Sequence, residues 1–254
     1  QEFTINPISV DLLQKSKDGT IKNGVKLHDG LLVESVLIPT ESRTTACVSS
    51  QVGCSLNCEF CATAKLKRMR NLEVAEIVDQ VALIDKQSKL YFDRPLSNIV
   101  FMGMGEPMMN YKNVVDAIRK ITQEDGLGMS ARRITVSTSG IPKMMKMLAD
   151  ENLKVKLALS LHSAIEHKRN EIMPFSTKFP LTEIMEAMQY WYDKTGSRIT
   201  FEYCVWKGIN DGDEDIKALI KYCKQVPCKV NLIQYNPIGE GKFDHRSVKK
   251  KKKY

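Results

Sequence analysis

The decisive stretch of this sequence reads Cys54-Ser55-Leu56-Asn57-Cys58-Glu59-Phe60-Cys61, which places three thiols within eight residues. A structural zinc ion takes four ligands, usually as two separated pairs, whereas three thiolates on one loop can bind three irons of a cubane cluster and leave the fourth iron open. The stretch therefore predicts an iron–sulfur cluster with an open coordination position. A partial zinc site and a disulfide with one spare thiol remain as alternatives.

The composition predicts one large α/β domain and no transmembrane span. The chain has 254 residues, 43% of them hydrophobic, which is enough for a well-buried core. Its longest apolar runs are strand-sized and are broken by charges. It opens on Gln1 without an initiator methionine or an apolar leader, so we expect a cytoplasmic protein whose original N-terminus has been removed.

The formal net charge of +8 is concentrated at the C-terminus. Residues 244–254 contain one Asp, one Arg and five Lys, which leaves +3 for the rest of the chain. A nucleic-acid partner must therefore be argued from local clusters. One such cluster follows the cysteine stretch and consists of Lys65, Lys67, Arg68 and Arg70. A run of this kind is commonly a solvated face, and beside an open site it also attracts a phosphate backbone.

Periodicity divides the chain into a lead-in with a β-hairpin (residues 1–42), an α/β core (43–243) and a basic, disordered tail (244–254). The hairpin is predicted from Ile21 to Ile38, around a turn at residues 28–30. The predicted core strands are Thr44–Val48, Asn98–Met102, Arg133–Ser137, Val155–Leu161, Arg198–Val205 and Lys229–Tyr235. The predicted helices are Val74–Ile84, Val114–Ile121, Pro142–Ala149, Leu181–Tyr192 and Asp215–Cys223.

Strands that alternate with helices require a parallel sheet with right-handed crossovers, either doubly wound or closed as a barrel-like arc. In both arrangements, ligands bind at the carboxyl ends of the strands. The unusual residues of this chain follow those ends, at 47–61, 103–107, 137–140, 160–163 and 236–237. This coincidence indicates one active site.

Several of these strand ends offer groups for a small polar ligand. The stretch Gly103-Met104-Gly105-Glu106-Pro107 combines two glycines, which allow close backbone approach, with a carboxylate that suits an ammonium group. Ser137, Ser160 and His162 offer hydroxyl and imidazole groups for a ribose or a carboxylate, although a lone histidine is more often structural. Asn236 either caps its strand or hydrogen-bonds an adenine edge.

The motifs of this chain resemble those of the RlmN family of radical S-adenosylmethionine (SAM) enzymes, which methylate carbon 2 of an adenine in 23S ribosomal RNA and in certain tRNAs. The matching stretches are Thr45–Cys54, the cysteine stretch, Met102–Asn110, Arg132–Gly140 and Leu159–His162. The resemblance extends from the hairpin to Asn236-Pro237. A sister family, which methylates carbon 8, usually has cysteine in place of Val52 and alanine in place of Pro107, so carbon 2 is favoured.

The resemblance implies the fold, the cofactors and the site. The implied fold is a partial (βα)6 barrel of the radical SAM type, preceded by a short β-hairpin, and the implied cofactors are a [4Fe-4S] cluster and SAM. Matching the motifs residue by residue gives Cys54, Cys58 and Cys61 as cluster ligands, Gly105, Glu106, Ser137, Ser160, Leu161, His162 and Asn236 as SAM contacts, Cys47 as a resolving thiol and Glu34 as a proton acceptor.

The resemblance also implies a radical reaction, because carbon 2 of adenine gives a polar methyl transfer no nucleophile. In the family, one SAM methylates a cysteine near the C-terminus, and a second SAM is reductively cleaved to a radical that takes hydrogen from that methyl group. The implied partners are 23S rRNA, tRNA and an electron donor such as flavodoxin or ferredoxin, and the implied state is a monomer. The methyl-carrying cysteine is expected beyond residue 254, so residues 1–254 are expected to bind both cofactors without completing methyl transfer.

Two other interpretations stay open on the sequence. The first is a radical SAM enzyme with a different target, such as carbon 8 of adenine. The second is a non-catalytic iron–sulfur or zinc module that binds RNA, which the basic cluster favours.

Overall fold

The computed structural model describes residues 8–235, so Asn236 and the predicted tail lie outside the described residues. The chain forms two compact units. Unit 1 consists of residues up to 54 together with 67–136, and unit 2 consists of residues 55–66 together with those from 137 onward. The predicted domain bounds at residues 42 and 243 stay a prediction.

Unit 1 joins an antiparallel ribbon to parallel strands. Its elements are β1 (Ser9–Lys15), β2 (Ile21–Lys26), β3 (Leu32–Pro39), β4 (Thr44–Cys47), β5 (Gln51–Val52), β6 (Arg70–Asn71), α1 (Val74–Phe92), β7 (Asn98–Phe101), α2 (Tyr111–Thr122) and β8 (Ile134–Thr138), whose last two residues belong to unit 2. The strands β1 to β4 pair antiparallel in order, and β4–β7 and β7–β8 pair parallel. The short β5 and β6 pair antiparallel.

The core of unit 1 can be traced from the period at which buried side chains recur along each element. In β2, Ile21, Asn23 and Val25 are buried and their neighbours face outward, as a strand with one covered face requires. Helix α1 buries Ile77, Val81 and Ile84 at helical spacing and packs against β3. This packing leaves the carboxyl ends of β4 and β7 to the loops that follow them.

Unit 2 is built from parallel strands and helices. Its elements are α3 (Pro142–Asp150), β9 (Lys156–Ser160), α4 (Glu166–Ile172), α5 (Leu181–Thr195), β10 (Ile199–Val205), α6 (Asp213–Cys223) and β11 (Cys228–Gln234). The strand β10 pairs parallel with both β9 and β11. The helical spacing of methionine and aromatic residues in Leu181–Tyr192 predicts a stripe that packs in the core. Helix α5 confirms this, because it buries Ile184, Met188 and Trp191.

The structure confirms the predicted α/β class and places the predicted core strands within about two residues of their expected ends. The lead-in before the hairpin has no clear sequence period, yet it contains β1, which pairs with β2 along its length. Every residue of β1 is exposed, so its sequence carries no alternation. Helix α4 was not predicted, because it buries only Arg169 and Ile172.

The strand and helix patterns around Cys204, Cys223 and Cys228 predict that all three are core residues. Cys204 is buried, as predicted. Cys223 and Cys228 are half-buried and line a cavity of about 710 Å³ beside α6 and β11, so their prediction as core residues is wrong. The described residues include no helix with the length and apolar character of a membrane span.

Candidate active site

The predicted site residues belong to both units. Unit 1 contains Glu34, Cys47, Cys54, Gly105 and Glu106, and unit 2 contains Cys58, Cys61, Ser137, Ser160, Leu161 and His162. Asn236 lies outside the described residues.

In unit 2, the cysteine loop (residues 55–61) forms a tight turn anchored on α4. Asn57 has a left-handed backbone with φ of 55°, which asparagine tolerates better than most residues. The Cys61 N–H donates to the Cys58 carbonyl at 3.1 Å, and the Glu59 N–H donates to the carbonyl of Ile172 at 3.1 Å. Cys58 and Cys61 are half-buried. The chain therefore fixes two of the three thiols within one well-anchored turn.

The cysteine loop also packs against an aromatic cluster. The ring of Phe60 lies 4.6 Å from that of His162 and 5.2 Å from that of Trp206, measured between centroids. His162 and Trp206 are both buried, and their centroids are 5.8 Å apart. These aromatic rings give the loop an apolar backing, and an iron–sulfur cluster that is shielded from water requires such a backing.

His162 is held by contacts to the backbone of β10 and the residues after it. Its Nδ1 accepts the Cys204 N–H at 3.1 Å, and its carbonyl accepts from Asn210 Nδ2 at 2.6 Å. These bonds hold a left-handed backbone, with φ of 54°, that strains most residues. Burial, with a smaller effect of the Arg169 charge, lowers the pKa of His162 to about 3. The imidazole is therefore neutral at pH 7 and carries its proton on Nε2.

The other predicted contacts of unit 2 lie at the carboxyl ends of its strands. Ser137 and Ser160 are half-buried, near the ends of β8 and β9. Leu161 is fully buried, and its N–H donates to the Glu202 carbonyl at 3.1 Å. The two hydroxyls and the buried imidazole thus lie on consecutive strand ends, as the sequence predicts.

In unit 1, the Gly103–Pro107 loop is fixed in a shape that only glycine allows. Gly105 has a φ of 94°, and a Cβ there would lie 2.5 Å from the Cβ of Gln51. Gln51 Oε1 accepts the Glu106 N–H at 2.9 Å, and Asn110 Nδ2 donates to the carbonyls of Ser50 and Leu72, both at 2.8 Å. Sequence reasoning missed Gln51 and Asn110, because their partners are distant in the chain.

Glu106 lies within this loop with a buried side chain. Its Oε1 accepts the Met108 N–H at 3.0 Å and so caps the turn at Pro107–Asn110. A carboxylate held in this way needs little reorganisation to bind a cation. The structure thus places the predicted ammonium-binding group on a rigid support.

Cys47 and Glu34 lie on neighbouring strands of unit 1. Cys47 pairs with Val36 in the register of β3 and β4, two residues along from Glu34. Burial raises the pKa of Cys47 to about 11, the Met102 backbone opposes this, and the Glu34 charge adds to it. Glu34 is half exposed, and its carboxylate pairs with Lys22 at 2.5 Å. The thiol is therefore protonated at pH 7, beside an accessible carboxylate.

Comparison with known proteins decides the family. The Radical SAM superfamily pattern matches residues 48–223. The chain is 69% identical over 247 residues to a Flavobacterium psychrophilum protein named as a dual-specificity RNA methyltransferase RlmN, a match that covers 97% of this chain and 71% of that protein. This chain belongs to the RlmN family of the radical SAM superfamily.

Two further comparisons agree with this assignment. A Christiangramia forsetii protein, also named as RlmN, is 68% identical over 246 residues and is matched over 97% of this chain and 70% of its own length. The crystal structure of a radical SAM methyltransferase from Sphaerobacter thermophilus superimposes with a TM-score of 0.95 at 38% identity, over 98% of this chain and 73% of that one. The predicted fold class is therefore confirmed.

Membership of the RlmN family gives the chain its cofactors, a [4Fe-4S] cluster and SAM. The side chains present fit the cluster, because three thiols lie within eight residues of the sequence. Two of them, Cys58 and Cys61, lie on the cysteine loop, which is anchored by backbone hydrogen bonds and backed by aromatic rings. Among residues 8–235, no three His, Cys, Asp or Glu side chains converge as they do around one metal ion. A cubane is bound by separate thiolates at separate corners, so its ligands need not converge on one point.

The RlmN-type chain has a polar row that sequence reasoning missed. In the register of the parallel strands, Glu202 pairs with Ser160 on one side and with Asn231 on the other, so the three side chains share one face. Asn231 Nδ2 donates to Glu202 Oε2 at 2.6 Å. Burial raises the pKa of Glu202, and the bond from Asn231 opposes this rise. The row extends the set of polar groups around Ser160.

The basic cluster of this RlmN-type chain is only partly available to an anion. Arg70 donates to Asp29 at 2.6 Å and to both oxygens of Glu76 at 2.7 and 2.8 Å, so its charge is already neutralised. The prediction that Arg70 attracts phosphate is therefore wrong, because its charge is used in these ion pairs. The sequence does not reveal the pairing with Asp29, because Asp29 lies 41 residues earlier in the chain. Lys67 is exposed, and Arg68 is half-buried with one bond to Asn71.

Proposed function

We propose that this chain is the catalytic core of a radical SAM methyltransferase that methylates carbon 2 of adenosine in 23S rRNA and tRNA. RlmN family membership supports the reaction class, since its curated relatives are named as dual-specificity RNA methyltransferases. The observation that carries the proposal is the cysteine loop, which is anchored on α4 and backed by Phe60, His162 and Trp206.

The proposal assigns a role to each predicted residue. Cys54, Cys58 and Cys61 bind the cluster, and Gly105, Glu106, Ser137, Ser160, Leu161, His162 and Asn236 contact SAM. The cluster, when bound, supplies the electron for reductive cleavage of SAM. The rigid turn capped by Glu106 offers its carboxylate to the ammonium group of SAM. The neutral His162 offers its Nε2–H to SAM, because its Nδ1 already accepts the Cys204 N–H.

Cys47 and Glu34 serve the later part of the reaction. The proposal makes Glu34 the proton acceptor, and its half-exposed carboxylate is accessible to a bound base. It makes Cys47 the resolving thiol. A thiol with a pKa of about 11 is protonated at rest, so Cys47 must first give its proton to an acceptor before it can act as a thiolate. Glu34, on the adjacent strand, is positioned to influence that step.

The proposal extends to the partners of the protein. An electron donor such as flavodoxin or ferredoxin reduces the cluster, and the enzyme acts as a monomer in the cytoplasm. RNA approaches through charge attraction at Lys67 and Arg68, which lie directly after the cysteine loop in the sequence.

Product analysis tests the proposed function. The protein, together with any sequence that flanks residues 1–254 in its gene, is incubated anaerobically with SAM, a reductant and unmodified 23S rRNA or tRNA. Nucleosides from the digested RNA are then separated by mass spectrometry. We expect 2-methyladenosine from both RNAs. Methylation at carbon 8, or an unmodified RNA after SAM has been consumed, would contradict the assignment.

Charge reversal in the basic cluster is expected to weaken RNA binding. The double variant Lys67→Glu and Arg68→Glu replaces two cations by anions in the stretch that follows the cysteine loop in the sequence, so we expect at least a tenfold loss of affinity in low salt. The loss should shrink as salt is added, because counterions screen the contacts. Lys120→Glu, which reverses one cation at an exposed site on α2, is the control for charge reversal elsewhere on the surface. Equal binding by both variants at low salt would remove the proposed RNA contact.

A further inference from the structure

A fully buried arginine lies on the helix that anchors the cysteine loop. Arg169 of α4 is 0% exposed. Its Nη2 donates to the Ser139 carbonyl at 2.6 Å and to the Ser160 carbonyl at 3.3 Å. Its Nε and Nη1 are buried and have no hydrogen-bond partner among the described residues. The protein thus keeps a full positive charge in its interior with part of its hydrogen-bonding capacity unused.

The backbone of α4 holds Arg169 in a fixed relation to the cysteine loop. The Met173 N–H donates to the Arg169 carbonyl at 2.8 Å, and the carbonyl of Ile172, three residues further along the chain, accepts the Glu59 N–H at 3.1 Å. Cys58 packs against the buried cluster that contains Ile172 and Met173. The charge of Arg169 and the thiol of Cys58 therefore belong to one rigid piece of unit 2.

A buried guanidinium requires a negative counter-charge. Arginine stays protonated in proteins, and an unpaired charge in the interior is costly. Burial lowers the pKa of Arg169, whereas Tyr222, Glu166 and Cys58 oppose that change. Tyr222 is a neutral phenol at pH 7, because burial raises its pKa. Glu166, on the same helix, opposes that change and also accepts the Leu181 N–H at 2.9 Å. Two of the three guanidinium nitrogens nevertheless have no hydrogen-bond partner among the described residues, so contacts with those residues leave the charge of Arg169 incompletely balanced.

We propose that Arg169 balances the charge of the cluster site, so that its buried cation stabilises the reduced cluster and raises its reduction potential. The inference rests on the proposed function, because it takes the cysteine loop as the cluster-binding loop. One electron enters from a low-potential donor and no bond to the protein forms or breaks. A fixed positive charge in a water-poor interior favours the more negative of the two redox states. Because Arg169 acts only through the charge of the cluster, it is a positioning residue and not a catalytic one.

A redox titration tests this inference. Wild type, Arg169→Met and Arg169→Lys are reconstituted anaerobically, their iron and sulfide are counted, and the reduced cluster is followed by electron paramagnetic resonance. At one fixed potential, we expect the Met variant to show about a tenfold lower ratio of reduced to oxidised cluster, equivalent to about 59 mV for one electron. The Lys variant, which keeps the charge, should stay close to wild type. Lys178→Gln removes an exposed cation from the same unit and should cause no shift.

The outcomes separate this inference from the proposed function. A wild-type protein that binds no cluster would overturn the proposed function itself. A full complement of iron and sulfide with the same potential in wild type and Arg169→Met would overturn only the role of Arg169. If the Met variant loses its fold by circular dichroism, Arg169→Gln replaces it, because an amide can still donate to the Ser139 carbonyl. Equal potentials for the Gln and Lys variants would then contradict the inference.

Discussion

Replacing Cys58 by alanine is expected to abolish both the iron–sulfur cluster and the cleavage of SAM. Three thiolates are the minimum that holds a cubane with one open iron, so two thiolates leave it incompletely bound. Cys58 is half-buried on the loop surface, so the loss of its sulfur should leave the fold largely intact. Iron and sulfide content, the visible spectrum and deoxyadenosine formation measure the effect.

Cys228→Ala is the matched control for this experiment. Cys228 is another half-buried thiol of unit 2, and its Sγ lies 3.6 Å from the Cys223 carbonyl. It has no role in the proposed site, so the control should keep iron, sulfide and SAM cleavage at wild-type levels. A Cys58→Ala protein that retains labile sulfide and cleaves SAM would show that this loop does not bind the cluster.

Replacing Glu106 by glutamine is expected to weaken SAM binding by about 10- to 100-fold, since a hydrogen bond to a charged group is worth about 1.5–3 kcal/mol. Glutamine keeps an oxygen acceptor for the Met108 N–H, so the turn should survive and only the negative charge is lost. Equilibrium dialysis with labelled SAM on the reconstituted protein measures the change.

The control for Glu106→Gln is Glu124→Gln, which removes the same charge from an exposed loop position of unit 1. Cluster content should equal that of wild type in both variants, because Glu106 is assigned to SAM alone. An unchanged dissociation constant in Glu106→Gln would remove the proposed ammonium contact.

Much of the fold followed from the sequence because periodicity and strand-end motifs are local signals. The strand Asn98–Phe101 and the helix Pro142–Asp150 both begin where their patterns predict. The ribbon strand β1 gave no such signal, since all of its residues are exposed. Helix α4 gave none either, since a polar sequence with a buried arginine does not produce an apolar stripe.

Of the candidate site, only the short sequence motifs could be predicted from the sequence. The cysteine spacing and the Gly105-Glu106 turn can be read from neighbouring letters. The contact of Phe60 with Trp206 depends on how unit 2 folds, and the neutralisation of Arg70 by Asp29 depends on how unit 1 folds. Such partners are far apart in the chain, so residue type and spacing do not reveal them. The isolated charge of Arg169 is likewise visible only from its burial.

The central claim is that the loop from Cys54 to Cys61 binds a cubane at which SAM is cleaved. The most direct measurement is anaerobic reconstitution of the protein with iron and sulfide, followed by addition of SAM and a reductant. The account predicts the absorption and paramagnetic spectra of a [4Fe-4S] cluster and the release of deoxyadenosine. Absence of labile sulfide and of deoxyadenosine, in a protein that is folded by circular dichroism, would contradict it.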